Sequence, residues 1–399
     1  MCSATRVVLM LSIAVDAAAT RLPPIKMMSM SPNARPSVLC VGETLFDGLP
    51  SGIFLGGAPL NVAVHLAECG VDAKFASAVG ADRLGREAVR RLVSRGVDVH
   101  LVKTINDAET GFVEVDIDSQ GDASYSFATP AAWDYLSDEG QALSSAAANA
   151  DAIVFGTLSQ RAAKSRDAVA AAKASARFTC CDVNLRPPFA SLEIVAESAF
   201  GVDLLKLNDE EMVQVTEALR KHASDEPASL ASAEAACAAA ARCLCAETEE
   251  EEVTAVAKAA AAIGCAANAA RVVVTRGSKG AVYWEKTSGA RGEIAGSAWV
   301  CAGFVAPAIA DTVGAGDAFL AGLLSRLLVD GASAPACLDA GCRLGAFVAG
   351  QSGATPPHDE EAIESLQACI VDGVGVTEGE VDEGCAVPAE SFAVPIEIT

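Results

Sequence analysis

The nonapeptide Asp311-Thr-Val-Gly-Ala-Gly-Asp-Ala-Phe319 carries the densest chemistry in the chain. Gly314 and Gly316 let the backbone N–H groups around Ala315 turn inward on one concave site. The apolar run that follows reads as a helix with its positive end there. An anion fits such a cradle. Asp317 stands at its mouth, where a carboxylate beside partial positive charges is expected to stay ionised at neutral pH and take a proton from an attacking hydroxyl. The chemistry indicated is phosphoryl transfer. A Gly-x-Gly-Asp standing alone would serve equally as a tight turn and helix cap.

Further polar sets recur along the chain. Gly56-Gly57-Ala-Pro-Leu-Asn61 opens a helix; its glycines permit close backbone approach, and Asn61 offers a donor and an acceptor to adjacent hydroxyls. Asp182-Val-Asn-Leu-Arg186-Pro-Pro-Phe189 ends a strand in a proline-fixed loop. Arg186 brings a fork of donors suited to a phosphate, or equally to a carboxylate in a structural ion pair. Thr275-Arg-Gly277-Ser-Lys-Gly280 lies where a strand turns toward a hairpin and suits backbone and hydroxyl contact with nucleotide phosphates. His65, on an apolar helix face, reads as packing.

These residues need a scaffold that collects strand ends. From Val38 the pattern runs strand, turn, helix, with strands at 38–41, 74–79, 152–155, 178–182, 204–207 and 271–275 and helices at 61–67 and 85–94. Such alternation predicts an α/β fold: a doubly wound, mostly parallel sheet covered on both faces, with ligands beyond the carboxyl ends of its strands. Gly111–Ile117 and Ser124–Phe127, joined at Gln120-Gly121, read as a hairpin. Residues 221–270 are Ala-rich with acidic Glu247 and Glu249 to Glu252, and read as a solvated helical pair or flexible insertion.

Asp-Thr-Val-Gly-Ala-Gly-Asp-Ala-Phe with its small-residue helix closely resembles the C-terminal signature of the ribokinase-like, pfkB-type sugar kinases. Gly-Gly-Ala-Pro-x-Asn-Val-Ala-x-His-Leu resembles the N-terminal signature of the same family. The resemblance spans about Val38 to Pro357 and implies a three-layer fold with a small β lid from strands near 43–55 and 99–127. It implies that Gly56, Gly57 and Asn61 bind the sugar and that Asp47, in Gly42-Glu-Thr-Leu-Phe-Asp47, accepts a hydroxyl. By the same resemblance Asp317 is the base, with Gly314, Ala315 and Gly316 as anion hole. Asn208 and Glu211 match an Asn-x-x-Glu element whose glutamate acts on Mg²⁺ through water. Thr275, Gly277 and Gly280 fall in the ATP site, and 346–356 on the adenine side. Asp311 and Val313 match positions that bind a monovalent cation, K⁺, in some members, with carbonyls near Gly353 completing the shell.

The segments at 132–134, 155–161, 182–189 and 204–211 look most like fructokinases, and the absence of a carboxylate near Gly156 to Leu158 disfavours ribose. The expected reaction is ATP-dependent phosphorylation of fructose at O6. A kinase for 2-keto-3-deoxygluconate, ribose or a nucleoside, and a non-catalytic fructokinase-like interaction protein, are the alternatives. A homodimer through the lid is implied by family analogy alone.

The 399 residues carry 29 Lys plus Arg against 52 Asp plus Glu, a net charge of -23, which repels nucleic acid as a partner. With 51% hydrophobic residues, material for a core is ample. The 14 cysteines lie scattered among apolar neighbours and read as reduced thiols; Cys243 and Cys245 lack a histidine at zinc-site spacing. Residues 1–37 hold a hydrophobic run too short for a membrane span, and read as a presequence or extension that leaves cytoplasm and plastid both open. Residues 38–370 read as the kinase domain and 371–399 as an acidic surface tail.

Overall fold

The computed structural model describes residues 35–49, 52–117, 123–223, 227–287, 296–304, 310–329, 331–358 and 394–396. The expected presequence and most of the expected tail lie outside these residues. The first part of the chain runs β1 (Ser37–Val41), β2 (Leu45–Leu49), β3 (Gly52–Gly56), α1 (Ala58–Glu68), β4 (Asp72–Gly80), α2 (Arg83–Ser94), β5 (Asp98–Ile105), β6 (Gly111–Ile117) and β7 (Ala123–Phe127). Then come α3 (Ala142–Asn149), β8 (Ala152–Gly156), α4 (Ala163–Ser175), β9 (Thr179–Asp182), α5 (Leu192–Ala199), β10 (Leu204–Asn208) and α6 (Met212–His222). The last part holds α7 (Pro227–Cys243), α8 (Glu249–Ala266), β11 (Arg271–Thr275), β12 (Ala281–Lys286), β13 (Gly296–Cys301), α9 (Ala315–Val329), α10 (Ala334–Ala349) and β14 (Val394–Ile396).

Ten strands form one sheet in the order β14-β13-β12-β11-β10-β9-β8-β1-β4-β5. Pairing from β11 through β5 is parallel, whereas β12, β13 and β14 add antiparallel neighbours. The order turns back at β1, so the chain winds outward in both directions and leaves a crevice beyond the strand ends there. Alternate residues of each strand enter opposite cores. Leu39 and Val41 of β1 join one core with α3 to α8, while Val38 and Cys40 join the other with α1, α9 and α10. Parallel strands buried on both faces explain the unbroken apolar runs in the sequence.

The lid is a separate four-stranded sheet, β3-β2-β6-β7, with β2 and β6 parallel and the outer pairs antiparallel. Its expected extent needs trimming. Asp98–Ile105 pairs with β4 at the edge of the large sheet and is no part of the lid.

The Ala-rich segment differs more from expectation. It does form a helical pair, α7 and α8, but α8 is a buried helix of one core, with Ala259, Ala260, Ala261 and Ile263 inaccessible. The acidic cluster is its first turn, capped by Thr248, whose side chain accepts from Glu251 N–H; carboxylates are favoured at that helix end. Small side chains let α8 lie close on the sheet. Gly264 sits so near Trp284 of β12 that a Cβ there would fall 2.1 Å from the ring. The tail, expected on the surface, contributes β14 to the edge of the sheet beside β13.

Candidate active site

Cross-strand pairing sets the floor of the site. Asp182 ends β9 and stands opposite Lys206 of β10 in parallel register. Both lie on the face that carries α9, because their neighbours two residues back, Cys180 and Leu204, pack in that core. Lys206 Nζ donates to both Asp182 oxygens at 2.9 Å, and both side chains are buried. Two charges this deep must be paired, and the carboxylates of Asp182, Glu211 and Asp317 hold Lys206 protonated.

Above this pair lies the start of α9. Gly314 adopts φ +79°, a conformation L side chains rarely reach, and a Cβ there would meet Ala354 O at 2.4 Å. At Gly316 a Cβ would lie 3.2 Å from Lys206 Nζ, so the ammonium packs directly against the glycine turn. Asp317 occupies the first helical turn and is buried. Its Oδ2 accepts from Asn61 Nδ2 at 2.8 Å, a bond joining residues 256 apart in sequence. Burial and the nearby Asp182 charge push its carboxyl up to about 7, against the opposing pull of Lys206, Asn61 and Arg186. The expectation that helix-end charge alone keeps Asp317 ionised is therefore corrected: burial outweighs it, and near neutrality the carboxyl is shared between two protonation states.

Asn61 is buried on α1, and its Oδ1 has no hydrogen-bond partner among the described residues. Gly57 caps that helix at φ +119°, where a Cβ would strike the carbonyl of Glu43 at 2.4 Å. At Gly56 a Cβ would come 2.8 Å from Asp47 Oδ2, so the missing side chain leaves the space that this carboxylate fills. Asp47 lies on the lid strand β2; burial raises its carboxyl to about 6, and Arg186 opposes the shift. Arg186 itself is exposed, donates from Nη1 to Leu185 O at 2.9 Å, and favours ionisation of Glu43, Asp47 and Asp317 together.

The Asn-x-x-Glu residues form a closed local unit. Glu211 N–H donates to Asn208 Oδ1 at 2.9 Å, while the Glu211 oxygens accept from Asn208 N–H at 2.8 Å and Leu185 N–H at 2.6 Å. Burial raises the Glu211 carboxyl, with Lys206 opposing. Thr275 pairs with Asn208 at the ends of β11 and β10. Gly277 and Gly280, both at positive φ, make the turn into β12; at Gly280 a Cβ would meet Cys301 O at 2.0 Å. Asp311 closes a turn by accepting from Val313 N–H at 3.0 Å, and its own N–H donates to Ala349 O at the end of α10. Gly353 follows in the next loop at φ +84°. His65, read as packing, is buried and donates from Nε2 to Ala354 O at 3.0 Å, which fixes the loop that Gly314 touches; burial lowers its imidazole to about 4.

The structure thus brings Asp317, Asn61, Gly314 and Gly316 into one contact network. Arg186, Asp47 and Glu43 join through charge and through the Gly56-Gly57 turn. Thr275, Asn208 and Glu211 stand on neighbouring strand ends. Sequence reasoning missed Lys206 and Asp182 as a pair. The available signal was a lysine and an aspartate each ending a buried apolar strand, where an unpaired charge would be prohibitive.

A model of the pfkB family of carbohydrate kinases matches residues 52–361, most of the chain. The chain belongs to that family. A probable chloroplastic fructokinase-6 of Arabidopsis thaliana is 25% identical over 316 residues, covering 74% of this chain and 71% of the relative. Two solved fructokinases share the fold. The ATP-bound protein of Xylella fastidiosa aligns with TM-score 0.63 and 21% identity over 84% of this chain and 99% of that one. The protein of Vibrio cholerae, bound to fructose, ADP and calcium, aligns with TM-score 0.59 and 24% identity over 83% and 98%. As a pfkB carbohydrate kinase the chain is a phosphotransferase acting on a sugar hydroxyl, built on the ribokinase-like fold with its lid. Among the described residues, no helix is long and apolar enough to cross a membrane.

Proposed function

We propose that this pfkB kinase transfers the γ-phosphoryl group of ATP to a primary hydroxyl of a ketohexose, with D-fructose O6 as the acceptor. The observation that carries the reading is the Asn61–Asp317 hydrogen bond, which ties the Gly56 to Asn61 turn to the Gly314 to Asp317 cradle. Asp47, Gly56, Gly57 and Asn61 hold the sugar on one side. Asp317 takes the hydroxyl proton, and the amides of Ala315 and Gly316, with Lys206 behind them, stabilise charge on the transferring group. Arg186 adds a donor fork at the open edge. Positioning and electrostatics supply most of the catalysis in such transfers.

Thr275, Gly277, Gly280 and Gly353 would line the nucleotide side. No three His, Cys, Asp or Glu side chains among the described residues converge to hold a metal ion. Both Glu211 oxygens already accept amides, so this donor set fits a Mg²⁺ that keeps its waters on the nucleotide phosphates, with Glu211 reaching it through water. Bound there, Mg²⁺ would neutralise phosphate charge. Asp311 and carbonyls near Gly353 would hold K⁺. The relative named chloroplastic supports a plastid location, and a homodimer through the lid belongs to the same proposal.

A coupled assay of ADP release over fructose, glucose, ribose, 2-keto-3-deoxygluconate and nucleosides tests the substrate. Fructose is expected to give the highest kcat/KM, with phosphate on O6 by ³¹P NMR. A higher value for another sugar replaces fructose, and no turnover with folded protein removes the kinase assignment.

A further inference from the structure

Glu43 follows β1 at the crevice where the sheet turns back, and it is 2% exposed. Its Oε1 accepts from the N–H of Ala58, the first residue of α1, at 3.1 Å. Its Oε2 has no hydrogen-bond partner among the described residues. Buried acceptors left unmade are costly and rare in native structures. Two occur around one helical turn here, because Asn61 Oδ1, three residues into α1, is also unpartnered. Both belong to side chains whose other polar atom is committed: Glu43 Oε1 to Ala58, and Asn61 Nδ2 to Asp317.

The surroundings give direction. Gly57 wraps over Glu43, with space there for no Cβ. Burial raises the Glu43 carboxyl, while backbone N–H groups and the Arg186 charge favour its ionised form. Glu43 is tied to the same first turn of α1 that presents Asn61, the hydrogen-bond partner of Asp317. Neither Arg186, which donates to Leu185 O, nor Lys206, committed to Asp182, supplies a donor to Oε2.

We infer that Glu43 is a substrate-orienting residue of the sugar side: one oxygen fixes the start of α1, and the other, with Asn61 Oδ1, forms a two-acceptor edge that receives two hydroxyl protons of a polyol. This rests on the reading of the crevice as a sugar site. Donors from a polyol satisfy both orphan atoms at once, which an apolar or aprotic ligand cannot do. A sugar lacking one of the two hydroxyls leaves an acceptor unpaired in a dry site and is rejected on that ground.

The test compares the full chain with Glu43→Gln and Glu43→Ala. Glu43→Gln keeps an oxygen for Ala58 N–H but turns the free acceptor into a donor. The expected result is a rise of roughly tenfold in sugar KM, with ATP KM unchanged and the melting temperature near wild type. Glu43→Ala is expected to lower the melting temperature as well. Thermal stabilisation by fructose without ATP is measured in parallel and is expected to shrink in Glu43→Gln. If wild type turns over and Glu43→Gln matches it in both KM and stabilisation, the inference falls and the kinase reading stands. If wild type shows no turnover yet fructose stabilises it more than Glu43→Gln, the kinase reading falls and the Glu43 edge stands. If fructose neither stabilises nor reacts with wild type, both fall.

Discussion

Asp317, the proposed base, has a proton affinity set by its depth. Its folded carboxyl stands near 7 against an ordinary 3.8. The protonated form is thus the one the fold prefers: stability from this group is present below about 4 and lost as pH rises through 7, whereas catalysis needs the ionised form and runs the other way. The value of kcat/KM is expected to climb with pH to a plateau through an apparent midpoint near 7. A midpoint below 5 would mean that some other group, or an Asp317 relieved of its burial, carries the proton. The motifs singled out Gly314, Gly316, Asp317, Gly56, Gly57 and Asn61, and the fold brings Asn61 and Asp317 within 2.8 Å of each other. The ionisation of Asp317 was not legible in the sequence, because Asp182 and Lys206 reach it only through strand pairing, and a linear motif carries no depth.

At the scale of elements, the cradle depends on two glycines for different reasons. Gly314 needs its left-handed φ and sits against Ala354 O, while Gly316 faces the ammonium end of the Lys206 side chain. Gly314→Ala should destabilise by about 1–3 kcal/mol from backbone strain, and by more if the Ala354 loop cannot shift. Gly316→Ala, with no backbone strain, should cost less stability than Gly314→Ala and lower turnover by shifting Lys206. Urea unfolding and initial rates separate the two; equal loss of stability in both variants would contradict the assigned geometry. The strands β1, β4, β8, β9, β10 and β11 and the helices α1 and α2 were legible from periodicity, and β6 and β7 as a hairpin whose expected turn at Gln120-Gly121 lies outside the described residues. The placement of β5 was not, because a short half-buried strand reads alike at the edge of either sheet. The burial of α8 was not, because an alanine-rich helix offers little contrast between its faces, and its capping carboxylates resemble a solvated run.

For the whole molecule, α8 is structural foundation on the face opposite the base, seated on β12 through Gly264 and Trp284. Gly264→Val should cost about 1–3 kcal/mol by overpacking while leaving sugar and ATP KM unchanged; unaltered stability by urea midpoint would show that α8 is not so seated. The two cores meet the sheet on opposite faces, and the candidate site residues lie at the ends of β1, β9 and β10, beside the point where the strand order turns back. The proposed role of Asp317 is that of proton acceptor between a sugar and a nucleotide. Its most direct test is turnover and ATP binding in Asp317→Asn with fructose as acceptor. The expected result is a fall in kcat of about 10²–10⁴-fold, with ATP affinity near wild type and a folded protein by circular dichroism. Near-normal turnover in that variant would contradict it.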